Sequence, residues 1–281
     1  MDGFGGLRVL SLESRRAKEM AQLIAHAGGK AVIAPSTREV PEGPNEDELK
    51  FAAALLEDRF GVVIFLTGVG TRHLAHAIEA VCPREKFVAA LSRTKVVARG
   101  PKPVAVLREF GVPVTLAVPE PNTWRDMVRV LDENSEQVPV KGKEIAIQEY
   151  GIPSAELYDE LEKRGAEVFP VHVYKWEPPE DTQPLRDAIS ALSRGEIDVV
   201  MFTSSVQVHH LFRFAEEMHL RDALFAGLNR AVIASIGPTT SGTLRDFGIP
   251  VDMEPSHPKM GFLVKEAAEQ SVQLLRRKHP A

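Results

Sequence analysis

Four short polar loops, each written twice in the chain, hold the residues whose types and spacing could do chemistry. Glu13-Ser14-Arg15-Arg16 is matched by Glu149-Tyr150-Gly151. Thr67-Gly68-Val69-Gly70 is matched by Ser204-Ser205-Val206-Gln207. Arg99-Gly100-Pro101-Lys102 is matched by Ile236-Gly237-Pro238-Thr239-Thr240, and Pro119-Glu120-Pro121-Asn122-Thr123 by Pro255-Ser256-His257-Pro258. Hydroxyl residues and glycines ahead of a helix leave backbone N–H groups open to an anion, and the same residues serve as ordinary helix caps. Four such loops, twice over, favour a ligand-binding cleft between two similar lobes.

Other chemistries are poorly supplied. Gly68-Val69-Gly70 lacks the third spaced glycine of a dinucleotide fingerprint, and there is no Walker lysine loop and no Gly-x-Ser-x-Gly elbow. His73 and His76 could share a helix face, and His209 and His210 are adjacent. Neither pair has the further spacing of a zinc site, so they read as surface or cap histidines and no metal is expected. The basic run Arg276-Arg277-Lys278-His279 reads as a solvated helix end that complements the helix dipole. A net charge of −5 argues against bulk attraction to nucleic acid or to an anionic membrane. Cys82 has no second cysteine to pair with, which fits a reducing cytoplasm. No apolar run reaches membrane-spanning length, and no signal peptide is expected. The 281 residues, 44% hydrophobic and 26% charged, suit a folded chain of about two domains.

The elements that must carry these loops come from an internal repeat. Arg93-Thr94-Lys95-Val96-Val97-Ala98-Arg99-Gly100-Pro101 aligns with Arg230-Ala231-Val232-Ile233-Ala234-Ser235-Ile236-Gly237-Pro238. At the same offset Val62–Gly68 meets Val199–Ser205. With a one-residue slip Val9–Glu13 meets Ile145–Glu149. Each copy alternates strand and helix. In the second, the pattern predicts strands over 144–148, 168–174, 198–203 and 230–236, and a short one around Val251. Helices are expected over 154–164, through Leu211 and Phe214, over 239–247 and over about 261–277. Gly165 stands where a helix-ending glycine would. The class is α/β, with parallel sheets covered by helices on both faces. In such sheets ligands bind beyond the carboxyl ends of strands, which is where all four loop pairs fall.

Proline and acid cluster at Val40-Pro41-Glu42-Gly43-Pro44 and again at Glu177-Pro178-Pro179-Glu180-Asp181. Both clusters follow the first strand–helix–strand of a copy. The expected division is residues 1–40 plus 175–281 as one lobe and 41–174 as the other, with the N-terminal segments exchanged. One lobe per copy is the alternative.

With these residues in view, the chain resembles the uroporphyrinogen-III synthase family over essentially its full length. The carrying segments are Phe65-Leu66-Thr67-Gly68-Val69-Gly70, Ala98-Arg99-Gly100-Pro101-Lys102-Pro103 and Arg164-Gly165-Ala166-Glu167-Val168 running into Val173-Tyr174. Phe202-Thr203-Ser204-Ser205 and Ser235-Ile236-Gly237-Pro238-Thr239-Thr240 complete the set. The motifs are short, and their order and spacing carry the resemblance. It implies two similar α/β lobes joined by a two-strand linker, with the cleft between them. It implies a lyase of porphyrin and haem biosynthesis that closes hydroxymethylbilane, removes the terminal hydroxyl and inverts the last ring, with no cofactor.

By position, Tyr174 matches a tyrosine proposed in the family to assist departure of the hydroxyl. Thr67, Ser204, Ser205, Gly237 and Thr240 match loop positions that face the substrate. Ser14, Arg15, Gly68, Val69, Gly70, Arg99, Gly100, Lys102, Glu149, Tyr150, Gly151, Gln207 and Thr239 complete the expected substrate loops. Arg15, Arg72, Arg99 and Lys102 are the candidate local cations. The chain departs from the family at Gln148-Glu149-Tyr150-Gly151-Ile152-Pro153, where many members have an arginine–glycine-rich turn. It departs again at Pro103, where many have threonine. The expected partner is the linear tetrapyrrole, with transient hand-over from the preceding pathway enzyme, no nucleic acid and no membrane, and the chain is expected to be a cytoplasmic monomer. A bilobal small-molecule sensor on the same fold is the reading from another class. The two lobes leave no residues for a DNA-binding module, and a sugar-phosphate enzyme is disfavoured by the missing phosphate loop.

Overall fold

In the computed structural model, residues 3–41, 45–149, 151 and 153–279 are described, apart from the side chains of Pro41 and Tyr174. Glu42, Gly43 and Pro44 of the first proline cluster, and Tyr150 and Ile152, lie outside the described residues. The first copy opens with β1 (Arg8–Ser11), α1 (Ala17–His26), β2 (Lys30–Ile33), β3 (Arg38–Pro41), α2 (Glu46–Leu56) and β4 (Phe60–Phe65). It continues with α3 (Gly68–Ile78), α4 (Arg84–Arg93), β5 (Lys95–Ala98), α5 (Pro101–Glu109), β6 (Leu116–Ala117) and α6 (Trp124–Glu133). The second copy opens with β7 (Glu144–Gln148), α7 (Ala155–Lys163), β8 (Glu167–Val171), β9 (Tyr174–Glu177), α8 (Gln183–Ser193) and β10 (Val199–Phe202). It ends with α9 (Ser205–Glu217), α10 (Arg221–Arg230), β11 (Val232–Ser235), α11 (Pro238–Asp246) and α12 (Met260–Lys278).

These strands form two all-parallel sheets, in the orders β11-β10-β1-β2 and β6-β5-β4-β7-β8, and a two-stranded pair β3-β9. Each large sheet thus combines the first two strands of one copy with the later strands of the other: Val9 stands beside Val199, and Val63 beside Ala146. The chain accordingly divides into a unit made of the residues up to Arg38 with those from Glu177, and a unit made of Glu39–Trp176.

Within the two large sheets β1, β4, β5, β7, β10 and β11 are buried on both faces, which is why they read as unbroken apolar runs, whereas β2, β6 and β8 are more exposed. Val63, Phe65, Val96, Ala98 and Ala146 face a core shared with Phe51, Leu74, Leu91 and Leu107. Their neighbours Val62, Ile64, Val97, Ile145 and Ile147 face Met127, Leu131, Leu157 and Leu161. In the other unit Leu10, Val200, Phe202 and Ile233 meet Ile189, Leu211 and Leu228, while Val9, Met201 and Val232 meet Met20, Ile24 and Leu263. α7 stops at Gly165, whose φ of 82° is a left-handed conformation that a side chain would disfavour. Among the described residues, no helix is long and apolar enough to cross a membrane.

Three expectations need correction. The apolar run 168–174 is not one strand: β8 ends at Val171, and β9 starts at Tyr174 in a different sheet. The strand expected around Val251 is only a single parallel bridge, Met253 to Ala234, and beside it the Asp252 side-chain carboxylate accepts from the Ile233 N–H at 2.7 Å. His210 is neither a surface nor a cap histidine. It is 7% exposed on α9, with Nδ1 2.5 Å from the Ser36 carbonyl. A carbonyl only accepts, so Nδ1 carries the proton.

Burial holds the His210 imidazole below its ordinary value of 6.5, and the exposed neighbour His209 is lowered too, by desolvation. The unfolded chain therefore takes up protons that the fold refuses. Stability present above pH 6.5 should be lost as pH falls below it. His210→Asn keeps a donor near the Ser36 carbonyl without the titration. It should flatten the fall in denaturation midpoint between about pH 7.5 and about pH 5.5, leaving the part due to His209. An unaltered slope would show that His210 does not contribute.

Candidate functional site

Because both sheets are wholly parallel, the loops after adjacent strands come out on one edge of each sheet. In the five-stranded sheet the loops after β5, β4 and β7 are neighbours, which brings together Arg99, Gly100 and Lys102, Thr67 to Gly70, and Glu149 and Gly151. In the four-stranded sheet the loops after β11, β10 and β1 are neighbours, gathering Gly237, Thr239 and Thr240, Ser204, Ser205 and Gln207, and Ser14 and Arg15. Tyr150 is outside the described residues, and for Tyr174 only the backbone is described, as the first residue of β9. Among the described residues, no group of three or more His, Cys, Asp or Glu could hold a metal ion.

Much of the loops' hydrogen bonding is turned inward. Thr67 caps α3, its Oγ1 accepting from the Gly70 N–H at 3.0 Å, while its own N–H donates to Gln148 Oε1 at 3.2 Å. Gln148 is wholly buried at the end of β7. In the other unit the equivalent carboxamide comes from a different place. Gln207 Oε1 accepts from the N–H groups of Thr203 at 2.7 Å and Ser204 at 3.3 Å. Gln207 Nε2 donates to Thr203 Oγ1 at 2.8 Å, and that hydroxyl donates to Glu13 Oε2 at 2.6 Å. The repeat pairs Gly70 with Gln207 and Leu12 with Gln148. Each unit therefore buries one glutamine under its central loop, from the strand in one case and from the helix in the other.

The paired acids Glu13 and Glu149 head equivalent loops. Glu13 Oε1 accepts from the Arg16 N–H at 3.2 Å. Glu149 is 1% exposed, accepts from the Tyr158 hydroxyl, and lies 2.9 Å from His172 Nε2. Burial, and then the bond to Glu149, push the Tyr158 phenol well above its ordinary value, so it remains a donor. Ser14 Oγ is 3.0 Å from Thr37 Oγ1 and accepts from the Thr37 N–H. Under the loop after β11, Ser241 donates to Ser235 Oγ at 2.8 Å, and Ser235 Oγ donates to the Gly237 carbonyl at 3.2 Å.

The candidate cations differ in setting. Arg72 forms a two-pronged pair with Glu109, both about half exposed, with Nη1 at 2.7 Å. Arg99 is half-buried and its Nε donates to the Leu66 carbonyl at 3.1 Å, bracing the loop after β4. Lys102 and Arg15 are exposed on their sheet edges. The fourth loop pair is less suited to a ligand. Thr123 forms a capping box with Asp126 at the start of α6, and Ser256 donates to Glu266.

Reasoning from sequence missed Gln148, His172 and Asp47. The signal for Gln148 was present: in the aligned strands it is a polar residue opposite Leu12, just where its partner position Gly70 lacks the glutamine of position 207.

A family model described as uroporphyrinogen-III synthase HemD matches residues 18–265. A Bacillus subtilis (strain 168) protein described as uncharacterized protein YjjA is 30% identical over 270 residues, 95% of this chain and 97% of its own. A putative uroporphyrinogen-III synthase of Methanothermobacter thermautotrophicus is 31% identical over 235 residues, 83% of this chain and 87% of its own. Among solved structures, a mutant uroporphyrinogen III synthase of the extremely thermophilic bacterium Thermus thermophilus matches at a TM-score of 0.75. It covers 96% of this chain and 100% of its own at 24% identity, a likeness of fold.

Proposed function

Since the chain belongs to the uroporphyrinogen-III synthase HemD family, we propose that it cyclises hydroxymethylbilane to uroporphyrinogen III, with inversion of the last pyrrole ring and loss of water. The observation that carries this reading is the pair of sheet edges. Each collects three neighbouring loops, two of which run into helix N-termini, with a nearby exposed cation, Arg15 on one edge and Lys102 on the other. The four-stranded edge adds the hydroxyls of Ser14, Ser204, Ser205, Thr239 and Thr240. Such edges suit the acid side chains of a linear tetrapyrrole.

The chemistry asks little more of the protein. The ring nitrogen of a pyrrole expels its hydroxymethyl hydroxyl as water once the oxygen receives a proton, leaving an azafulvene. A phenol can give that hydrogen bond or proton, and Tyr174 is the residue proposed for it. The last ring attacks the azafulvene methylene through its substituted carbon, giving a spiro centre. The older methylene bond from that carbon to the neighbouring ring then breaks, leaving a second azafulvene. The inverted ring attacks it through its free α-carbon, whose proton leaves as the macrocycle closes. Holding a flexible chain so that its ends meet is catalysis by positioning, a contribution on the order of several kcal/mol. On this reading the protein is a lyase of tetrapyrrole biosynthesis that needs no metal or nucleotide for the step.

The test is incubation with enzymatically generated hydroxymethylbilane, oxidation, and separation of the porphyrin isomers. The type III isomer should dominate. Formation of only the uninverted isomer, at the spontaneous rate, would refute the activity. Tight binding of the bilane without turnover would favour a sensor.

A further inference from the structure

β8 leaves the five-stranded sheet at Val171, and β9 begins at Tyr174. The corner between them, His172–Val173, is held from several sides. Val173 is buried at 1% exposure in the core beneath α2. The His172 carbonyl accepts from Asn45 Nδ2 at 3.0 Å, and Asn45 is the N-cap of α2. The His172 ring stands between two carboxylates: Nδ1 is hydrogen-bonded to Asp47 Oδ2 on α2 at 2.6 Å, and Nε2 lies at ion-pair distance, 2.9 Å, from Glu149 Oε2 beyond β7 without hydrogen-bond alignment.

The partners are themselves fixed. Glu149 is held on its other oxygen by Tyr158 of α7, and Glu48 closes the capping box on the Asn45 N–H at 2.9 Å. A carboxylate as buried as Glu149 favours a cationic neighbour, and the His172 ring is the group at ion-pair distance from its Oε2, so their positions are coupled electrostatically. An imidazole hydrogen-bonded to Asp47 through Nδ1, with Nε2 set against the buried Glu149 carboxylate, cannot rotate without losing the Asp47 bond, and its backbone carbonyl is held as well. The corner is thereby tied to α2, β7 and α7 at once, more than a change of strand requires.

We propose that His172 is a positioning residue: held between Asp47 and Glu149, it fixes the corner from which β9 starts, and so sets where Tyr174 stands during departure of the hydroxyl. This rests on the reading of Tyr174 given under the proposed function. The tether itself stands on the geometry alone.

His172→Gln can satisfy one carboxylate and not both, and at 42% side-chain exposure the position tolerates the change. In hydrogen exchange of the full chain, amides 172–177 should exchange about ten-fold faster or more, with β4 and β5 unchanged. In the cyclisation assay kcat should fall on the order of ten-fold, with KM within about two-fold. Placed in a Tyr174→Phe background, the same substitution should cost nothing further, because it acts through that residue. Asp47→Asn, on the half-exposed side of the ring, should give the same pattern more weakly.

Unchanged exchange at 172–177 would overturn the tether. An equal loss of kcat in the wild-type and Tyr174→Phe backgrounds would show a general structural role and overturn positioning. If Tyr174→Phe kept full kcat, the Tyr174 reading would fail and the catalytic half of this proposal with it. The exchange result would still decide whether His172 holds the corner.

Discussion

Tyr174→Phe should lower kcat for ring closure on the order of ten- to a thousand-fold and leave KM nearly unchanged, as for removal of one general acid. The substitution removes the hydroxyl and keeps the ring, so the grip of the loops on the substrate survives. The isomer ratio is the more telling readout. Hydroxymethylbilane closes spontaneously without inversion, so a slowed enzyme competes less well and the uninverted isomer should form a rising share of product. An unchanged kcat and isomer ratio would make Tyr174 a bystander. The proton would then have to come from a loop hydroxyl, a water or a carboxyl group of the substrate.

The placement of Tyr174 also shows where the sequence stops being readable. Val168 to Tyr174 reads as one strand because alternation carries no mark of a change of partner. The chain switches from pairing with β7 to pairing with β3 while Val171 and Val173 both remain buried, at 0% and 1% exposure. What ends β8 is tertiary: the Asn45 and Asp47 contacts to His172 come from more than 120 positions away. No local pattern could reveal them.

The internal repeat, by contrast, made the two sheets legible. Strands of equal sequence take equal places: β4 and β10 are central, and β5 and β11 lie beside them. Since ligand loops follow strand ends in parallel sheets, the residues at the carboxyl edges could be named before their neighbours were known. The fate of their N–H groups could not. Thr67 and Ser204 look alike as helix-start residues, and only the fold shows that Gln148 takes the N–H of one and Gln207 that of the other.

That pair of glutamines leads to the expectation of largest effect on the fold. Gly70→Ala should destabilise the unit that contains it by about 2–5 kcal/mol, the sum of overpacking and lost buried hydrogen bonds. A Cβ at Gly70 would stand 2.0 Å from Gln148 Nε2, 2.5 Å from its Cδ and 2.8 Å from Thr67 Oγ1. Backbone strain is not the cause, since Gly70 lies inside the first turn of α3. Gln148 has a flexible side chain, but at 0% exposure it has no solvent to retreat into. Moving it would break its bonds to the Thr67 N–H and the Glu149 carbonyl, leaving buried groups unpaired. The other unit shows the remedy, with Leu12 on the strand and Gln207 on the helix. The double substitution Gly70→Gln with Gln148→Leu should therefore recover most of the loss, whereas Gly70→Gln alone should be worse than Gly70→Ala. Chemical denaturation of the three variants measures this directly. A Gly70→Ala protein as stable as wild type would show that Gln148 has another resting place. A double variant no better than Gly70→Gln alone would show that the two units do not share one interchangeable carboxamide site.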